Sequence, residues 1–407
     1  MQVCEEYRQS VTPVSLTMER LDTSNVREQV ERSTQREHSA PIFPTSSFVF
    51  DSAEHMRALF ADEVEGNIYS RFTNPNTTEF VNKVCVMEGA EAGVATATGM
   101  AAGFASIMGL LQNGDHIVSA RPVFGSTHAL LTNYLPKWGI TSTYVDIADV
   151  RAWESAITPA TKMLLVETPS NPGLDLADLS ALGNLAAQQG VILNVDNTFA
   201  TPLLQQPIAY GADLVWHSAT KWFDGQGRTL GGVVVGKAEL IKQIYLFARN
   251  TGPTMSPFNA WILSKSLETL SARLDRHCAQ AMEVARMLEQ HPRVDSVKYP
   301  FLSSHPQHDL ARRQMSSGGG IITFFIKGGA SAAAAFMDQL QLFTITANIG
   351  DTRSIVTHPS TSTHARLSEE ARLAVGITPS LIRLSIGLED VNDLMSDLDA
   401  ALNAVTI

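Results

Sequence analysis

Three short segments of the sequence place reactive residue types at the ends of apolar runs. Lys221 closes Leu214-Val-Trp-His-Ser-Ala-Thr-Lys221, with Ser218 and Thr220 just before it and the flexible Gly225-Gln-Gly227 just after. At the mouth of a buried strand a lysine is partly desolvated, which disfavours the ammonium, lowers its pKa and makes the amine a nucleophile for Schiff-base chemistry. Most lysines are instead solvated surface charges, so the neighbourhood has to distinguish this one. Asp196 ends Val191-Ile-Leu-Asn-Val-Asp196, where a carboxylate either caps the next helix or pairs with a buried cation such as a protonated pyridine nitrogen. Thr98-Gly99-Met100-Ala101-Ala102 follows a third run and opens a small-residue helix. Backbone N–H groups at such a helix start hold a phosphate, although small residues there also serve close helix packing. A phosphate cradle, an acid for a ring nitrogen and a Schiff-base lysine, in that order, are together much more specific than any one.

Strands must bring these positions to one edge. From about residue 66 to 240, β-rich runs at 94–98, 116–120, 142–147, 163–168, 191–195, 214–218 and 232–235 alternate with helix-length segments, as buried parallel strands do. Segment 176–189, with Leu179, Leu182 and Leu185, is long enough for a crossover helix, so the region reads as a doubly wound or related α/β sheet that binds ligands at its strand carboxyl ends. After Trp261 a helical segment carries Leu267, Leu270 and Leu274, and runs at 321–326, 343–347 and 381–386 add strands of a second, smaller α/β domain. The Ala332 to Ala335 run reads as helix, and no internal repeat is visible. Residues 1–65 are polar and interrupted by Pro41 and Pro44, an irregular N-terminal arm; 66–265 form the large domain and 266–407 the small one.

Composition removes other classes. The 407 residues hold 30 Lys and Arg against 41 Asp and Glu, a net charge of −11, and no long run of like charge, which argues against a nucleic-acid surface. Cys4, Cys85 and Cys278 are far apart and lack zinc-site spacing, so a reducing cytoplasm is the simplest home. Glu5, Glu6, Arg8, Glu19 and Arg20 leave no apolar signal segment in the chain as given. Residues 92–111 are uncharged and hold Gly99 and Gly103 at GxxxG spacing, but Thr96, Thr98, Ser106 and the missing basic flank argue against a membrane span. His305 and His308 flank Pro306 in a loop without a third ligand, and no metal is expected. Gly225-Gln-Gly227-Arg-Thr-Leu-Gly231 lacks the strand-to-helix context and the spacing of a dinucleotide fingerprint.

Six segments resemble the pyridoxal 5'-phosphate (PLP) dependent enzymes of cysteine and methionine metabolism, of fold type I: Tyr69-Ser-Arg71-Phe-Thr-Asn-Pro75, Ala97-Thr-Gly-Met-Ala-Ala102, Glu167-Thr-Pro-Ser-Asn-Pro172, Val195-Asp-Asn-Thr-Phe199, Ser218-Ala-Thr-Lys-Trp222 and Leu381-Ile-Arg-Leu-Ser-Ile-Gly387. The resemblance implies a large, mostly parallel seven-stranded sheet domain plus a smaller C-terminal α/β domain, and PLP as cofactor. It implies that Lys221 forms the Schiff base and shuttles protons, that Asp196, with Thr198 beside it, pairs with the pyridine nitrogen, and that Gly99, Met100, Ser218 and Thr220 hold the phosphate. Tyr69 and Arg71 would reach across from a neighbouring subunit, Tyr69 also assisting proton transfer, in a homotetramer built as a dimer of dimers with shared active sites. Phe124 stands where many relatives carry a tyrosine; a phenylalanine stacks on the ring but cannot move a proton. Arg383 has the fork geometry for a bidentate pair with the substrate α-carboxylate, near Asn171. Asn348 stands where many relatives have a serine and is expected near the same carboxylate.

Within the family, Val123-Phe-Gly-Ser-Thr127, Asp224-Gly-Gln-Gly-Arg228, 252–261 and Asn348-Ile-Gly-Asp-Thr-Arg-Ser354 look most like members that carry out γ-replacement on O-succinyl-L-homoserine with sulfide, releasing succinate and L-homocysteine for methionine biosynthesis. Arg353 and Arg228 are candidates for the distal carboxylate that a succinyl ester carries and an acetyl ester lacks. The alternatives are sulfhydrylation of the acetyl ester, cystathionine γ-synthesis from cysteine, and γ-elimination from methionine or cystathionine.

Overall fold

The computed structural model describes residues 20–405; Cys4 and the charged positions Glu5, Glu6, Arg8 and Glu19 lie outside them. Seven strands form the larger sheet: β1 Ala92–Thr96, β2 His116–Ala120, β3 Thr141–Val145, β4 Thr161–Glu167, β5 Ile192–Asp196, β6 Leu214–Ser218 and β7 Gly232–Gly236. Their order is β1-β7-β6-β5-β4-β2-β3. Every residue of β2 and β7 is buried, as expected where helices cover both faces of a sheet. β3, β2, β4 and β5 run parallel, whereas β1 and β7 pair antiparallel from Ala92↔Gly236 to Thr96↔Gly232. The first strand stops two residues short of its expected end. Thr98 leaves it to cap the helix Gly99–Met108, its Oγ1 accepting the Ala101 N–H at 3.1 Å, a use of threonine that competes with strand pairing.

The chain divides into two compact units. One contains the described residues up to Leu110, Trp216–Thr220 and Thr229–Thr269. Its helix Pro75–Glu88 buries Phe80, Val84 and Met87 and ends at Gly89, whose φ of 71° needs glycine. The same helix carries Lys83, fully buried, 3.0 Å from Glu268 and 3.5 Å from Glu79, while Ser264 Oγ donates to Glu79 at 2.6 Å. The N-terminal stretch is less irregular than its prolines suggest. Helices Leu21–Arg27 and Ala53–Phe60 flank Pro41 and Pro44, and Ser52 caps the second by accepting the His55 N–H at 3.0 Å. Residues 92–111 divide between β1 and the ten-residue helix Gly99–Met108, and among the described residues no helix is long and apolar enough to cross a membrane. A Cβ on Gly103 would lie 3.2 Å from the Trp216 ring, so this glycine serves close packing.

The other unit contains Leu111–Val215, Lys221–Arg228 and the described residues from Leu270 onward. It holds the second sheet, with β8 Val294–Lys298, β9 Ile321–Ile326, β10 Thr344–Ile345, β11 Ile355–Thr357 and β12 Leu381–Ser385 in the order β10-β11-β12-β9-β8. Its core joins Ile322, Phe324, Ile382 and Leu384 from the sheet to Val284 and Leu288 of the helix Leu270–Gln290 and Leu394 and Leu398 of Val391–Ala404. Strands β8 and β11 escape the sequence pattern because one is half polar and the other only three residues long. The helical stretch around Leu267 is two helices, Pro257–Leu267 and Leu270–Gln290, and the alanine run lies in the helix Gly329–Gln339.

Candidate active site

Lys221 follows the end of β6 by three residues. Its Nζ donates to Asn348 Oδ1 at 2.7 Å. Burial and the nearby Arg383 charge push its amine down to about 8, because both penalise the ammonium form. The segment carrying Asn348 lies against the lysine turn at Gly350, where φ is +78° and a Cβ would sit 2.8 Å from the Trp222 amide nitrogen. Only glycine satisfies both conditions.

Arg383 sits in the middle of β12 and is buried. Its Nη1 donates to Asn171 Oδ1 at 2.8 Å, and its Nη2 donates to the Asn348 carbonyl at 3.3 Å and to Thr357 Oγ1 at 3.5 Å. All three partners are neutral, so the guanidinium keeps its charge within the protein while burial lowers its pKa to about 10. Asn171 is held in place by its own loop. Thr323 Oγ1 donates to the Pro172 carbonyl at 2.6 Å, and the Ser170 N–H donates to the Asp175 carbonyl at 2.9 Å.

Asp196 ends β5 and caps no helix. Its Oδ1 accepts the Thr198 N–H at 3.0 Å and the Thr198 hydroxyl at 2.5 Å, a local turn that fixes the carboxylate at the strand end. Across the parallel ladder its Cα partner is Glu167, the last residue of β4. Glu167 Oε2 accepts the Phe124 N–H at 2.6 Å. Burial, reinforced by the Asp196 charge, holds the Glu167 carboxyl well above the usual carboxylate range. Sequence reasoning passed over Glu167, although it closes an apolar run, Met163-Leu-Leu-Val-Glu167, as Asp196 does; that shared pattern was the available signal.

Arg353 and Arg228 are each tied to an aspartate. Arg353 donates from Nε and Nη2 to the two Asp351 oxygens at 2.9 Å each and from Nη2 to the Gln226 carbonyl at 3.2 Å, with its side chain 66% exposed. Arg228 Nε donates to Asp224 Oδ1 at 3.0 Å and its Nη2 to the Asp224 carbonyl at 3.0 Å. Asp224 is fully buried and Asp351 nearly so, so both forks have fixed bases.

The remaining expected residues belong to the other unit. Gly99 opens its helix against Ser218, where a Cβ would lie 2.6 Å from the Ser218 Cα. The first-turn amides of Gly99 and Met100 and the Ser218 hydroxyl therefore share one small region, and Thr220 Oγ1 is fixed by the Gly231 N–H at 3.2 Å. Tyr69 is exposed and meets Phe72 edge-on with ring centroids 5.7 Å apart. The Arg71 guanidinium lies 4.9 Å from the Phe72 ring centre and its Nη1 donates to the Arg249 carbonyl. Hydrogen bonds thus join Lys221, Asn348, Arg383 and Asn171, a strand ladder and local bonds join Glu167, Phe124, Asp196 and Thr198, the charges of Arg383 and Glu167 couple the two groups within their unit, and Gly99, Met100, Ser218 and Thr220 lie in the other unit. Of the two histidines considered for a metal, His305 lies buried in a loop and His308 opens the helix His308–Gln314; the described residues contain no group of three metal-ligating side chains.

These donors fit PLP. A glycine that admits only a hydrogen beside a serine hydroxyl suits an oxyanion at a helix start. The low-pKa amine suits an aldehyde, and a buried carboxylate suits a ring nitrogen.

Comparison with known proteins agrees. The chain is 48% identical over 94% of its length to an O-succinylhomoserine sulfhydrylase of Pseudomonas aeruginosa, covering 95% of that protein. It is 41% identical over 89% of its length to an L-methionine gamma-lyase of Pseudomonas putida, covering 92% of it. Among solved structures it superposes on cystathionine gamma synthase from Xanthomonas oryzae pv. oryzae with a TM-score of 0.90 at 36% identity, covering 94% of this chain and 98% of that one. A Campylobacter jejuni structure that carries N'-pyridoxyl-lysine-5'-monophosphate gives a TM-score of 0.91 at 32% identity, covering 94% of this chain and 100% of that one. The profile of the Cys/Met metabolism PLP-dependent enzymes matches residues 22–403, and with the lysine, the two strand-end carboxyl groups and the buried arginine in place, the chain belongs to that PLP-dependent family.

Proposed function

We propose that this enzyme carries out γ-replacement, converting O-succinyl-L-homoserine and sulfide to L-homocysteine and succinate. The observation that carries the reaction is its extended likeness to O-succinylhomoserine sulfhydrylases; the geometry supports the amino-acid chemistry that precedes it. When bound, PLP supplies an electron sink for the pair left behind as a proton leaves carbon.

In this reading Gly99, Met100, Ser218 and Thr220 hold the phosphate, Asp196 with Thr198 holds the ring nitrogen, and Phe124 stacks on the ring. Arg383 takes the substrate α-carboxylate in a bidentate pair, a ligand its neutral partners leave it free to attract. Asn171 and Asn348 orient that carboxylate and the lysine. Lys221 would remove the substrate α-proton and later return it; an amine whose pKa lies at about 8 serves both directions close to neutral pH. A further proton would be lost from the β-carbon, the γ-carbon to oxygen bond would break with loss of succinate, and sulfide would add at the γ-carbon, with protons returned to the β- and α-carbons to give L-homocysteine. Arg353 takes the distal carboxylate of the succinyl group.

We also propose that the chain works in the cytoplasm as a homotetramer, a dimer of dimers in which Tyr69 and Arg71 complete a neighbour's site and Tyr69 assists proton transfer. Residues 1–65 would act as an arm, 66–265 as the cofactor domain and 266–407 as the smaller domain. Product analysis tests the reaction. Homocysteine that depends on sulfide and forms faster from the succinyl than from the acetyl ester supports it; 2-oxobutanoate as main product despite sulfide, the outcome a γ-lyase gives, overturns it, and cystathionine formed preferentially from added cysteine does so too.

A further inference from the structure

Glu167 is a buried titratable group that the chemistry above does not use. It stands beside Asp196 as Cα partner on adjacent parallel strands, which puts both side chains on the same face of the sheet at neighbouring strand ends. Both are buried, at 4% and 6% exposure. Their environments are unequal. Asp196 receives two donors from Thr198 on one oxygen, the hydrogen bonding that favours an ionised carboxylate. Glu167 receives one, the Phe124 N–H. The Arg383 charge reaches Glu167 without an ion pair between them, and the hydrogen bonds of that guanidinium go to Asn171, Asn348 and Thr357. Two adjacent buried carboxyl groups resist ionising together, and the proton favours the one with fewer hydrogen-bond donors.

We propose that Glu167 is a positioning residue that holds Phe124 by its main-chain amide while remaining a neutral acid. Phe124 precedes the short helix Gly125–Ala129 and makes no side-chain cap, so the Glu167 oxygen is what ties its backbone to the strand end. Neutrality has a second effect. It leaves the Arg383 charge for the substrate α-carboxylate and leaves Asp196 as the anion facing the ring nitrogen. The inference rests on the cofactor placement proposed above and deepens it.

Its test uses the visible absorbance of the purified holoenzyme, which requires no substrate, in wild type, Glu167→Gln and Glu167→Leu. Glutamine keeps a neutral acceptor for the Phe124 N–H; leucine removes it. The pH at which the lysine-bound cofactor band changes should stay in place in Glu167→Gln, whereas removing an ionised neighbour would move it by about a unit or more. Cofactor release should be faster in Glu167→Leu by about tenfold, the effect of one lost buried hydrogen bond, and Glu167→Gln should recover most of that loss. A displaced midpoint in Glu167→Gln overturns the neutral acid, and this holds even if the leucine variant does not fold. Wild-type release from Glu167→Leu overturns the positioning role. Failure of the proposed reaction shows separately, as wild-type enzyme with the cofactor band but without sulfide-dependent turnover.

Discussion

Lys221 and Asn348 are joined by a 2.7 Å hydrogen bond from Nζ to Oδ1. An amide oxygen orients the amine without supplying the negative charge that would stabilise an ammonium. Burial and the Arg383 charge are therefore uncompensated, and the amine falls to about 8.

A pH dependence follows from that value. Only the neutral amine attacks an aldehyde, so the rate at which cofactor-free protein takes up PLP should rise with pH through about 8 and level off above it. A solvated lysine would keep gaining rate to about 10.4. Asn348→Asp supplies the missing anion and should move the midpoint upward by about a unit. Stopped-flow absorbance over pH 6 to 11 (roughly the span of the two pKa values) reads both. Lys221→Ala should fold, bind cofactor without the lysine-linked band and have no turnover.

Asp196→Asn keeps the shape and the contacts with Thr198 but removes the charge. Without an anion the ring nitrogen loses its proton more easily and the electron sink weakens. The proton-abstraction rate should fall on the order of 10²-fold or more, measured as single-turnover kinetics with deuterated substrate. An unchanged rate would remove Asp196 from its assigned place.

Gly99→Ala tests the phosphate cradle. The added Cβ would lie 2.6 Å from Ser218 Cα and 2.5 Å from its Cβ, and these are strand atoms with little freedom to yield. The helix start must move away from Ser218, so PLP affinity should drop at least about tenfold, the cost of roughly one charge-assisted hydrogen bond, while the melting temperature of the cofactor-free protein changes far less. Fluorescence titration of the cofactor-free form separates the two.

The site was legible where chemistry and strand ends coincide. Lys221, Asp196 and Gly99 each follow an apolar run, and each lies where that pattern puts it. Glu167 followed the same pattern and was passed over, because one acidic residue after a strand has many ordinary uses and only the β4–β5 register brings it beside Asp196. The Asn348 contact with Lys221 spans 127 residues; nothing local in either segment encodes it. Strand β11 was missed for a related reason: Ile355–Thr357 is too short to show a period and is defined by its pairing with β10 and β12. The short N-terminal helices were hidden by prolines that interrupt only the stretch between them.

Arg353 offers the sharpest separation of substrates. Its fork is held by Asp351, which is itself nearly buried, while the arginine side chain is 66% exposed. The aspartate therefore aims the guanidinium instead of extinguishing it, since Asp351 takes the Nε and Nη2 side of the fork and, among the described residues, Nη1 stays open to a ligand. A succinyl ester brings a carboxylate to such a donor and an acetyl ester does not. Arg353→Ala should raise KM for O-succinyl-L-homoserine by about tenfold, as expected for one partly solvated charge-assisted hydrogen bond, and leave KM for O-acetyl-L-homoserine nearly unchanged. Arg353→Lys should recover only part of the loss, because a point charge lacks the fork. Steady-state kinetics with both esters decide it: equal losses on the two would mean that Arg353 only braces the Gln226 turn, and the distal carboxylate would then be assigned to Arg228.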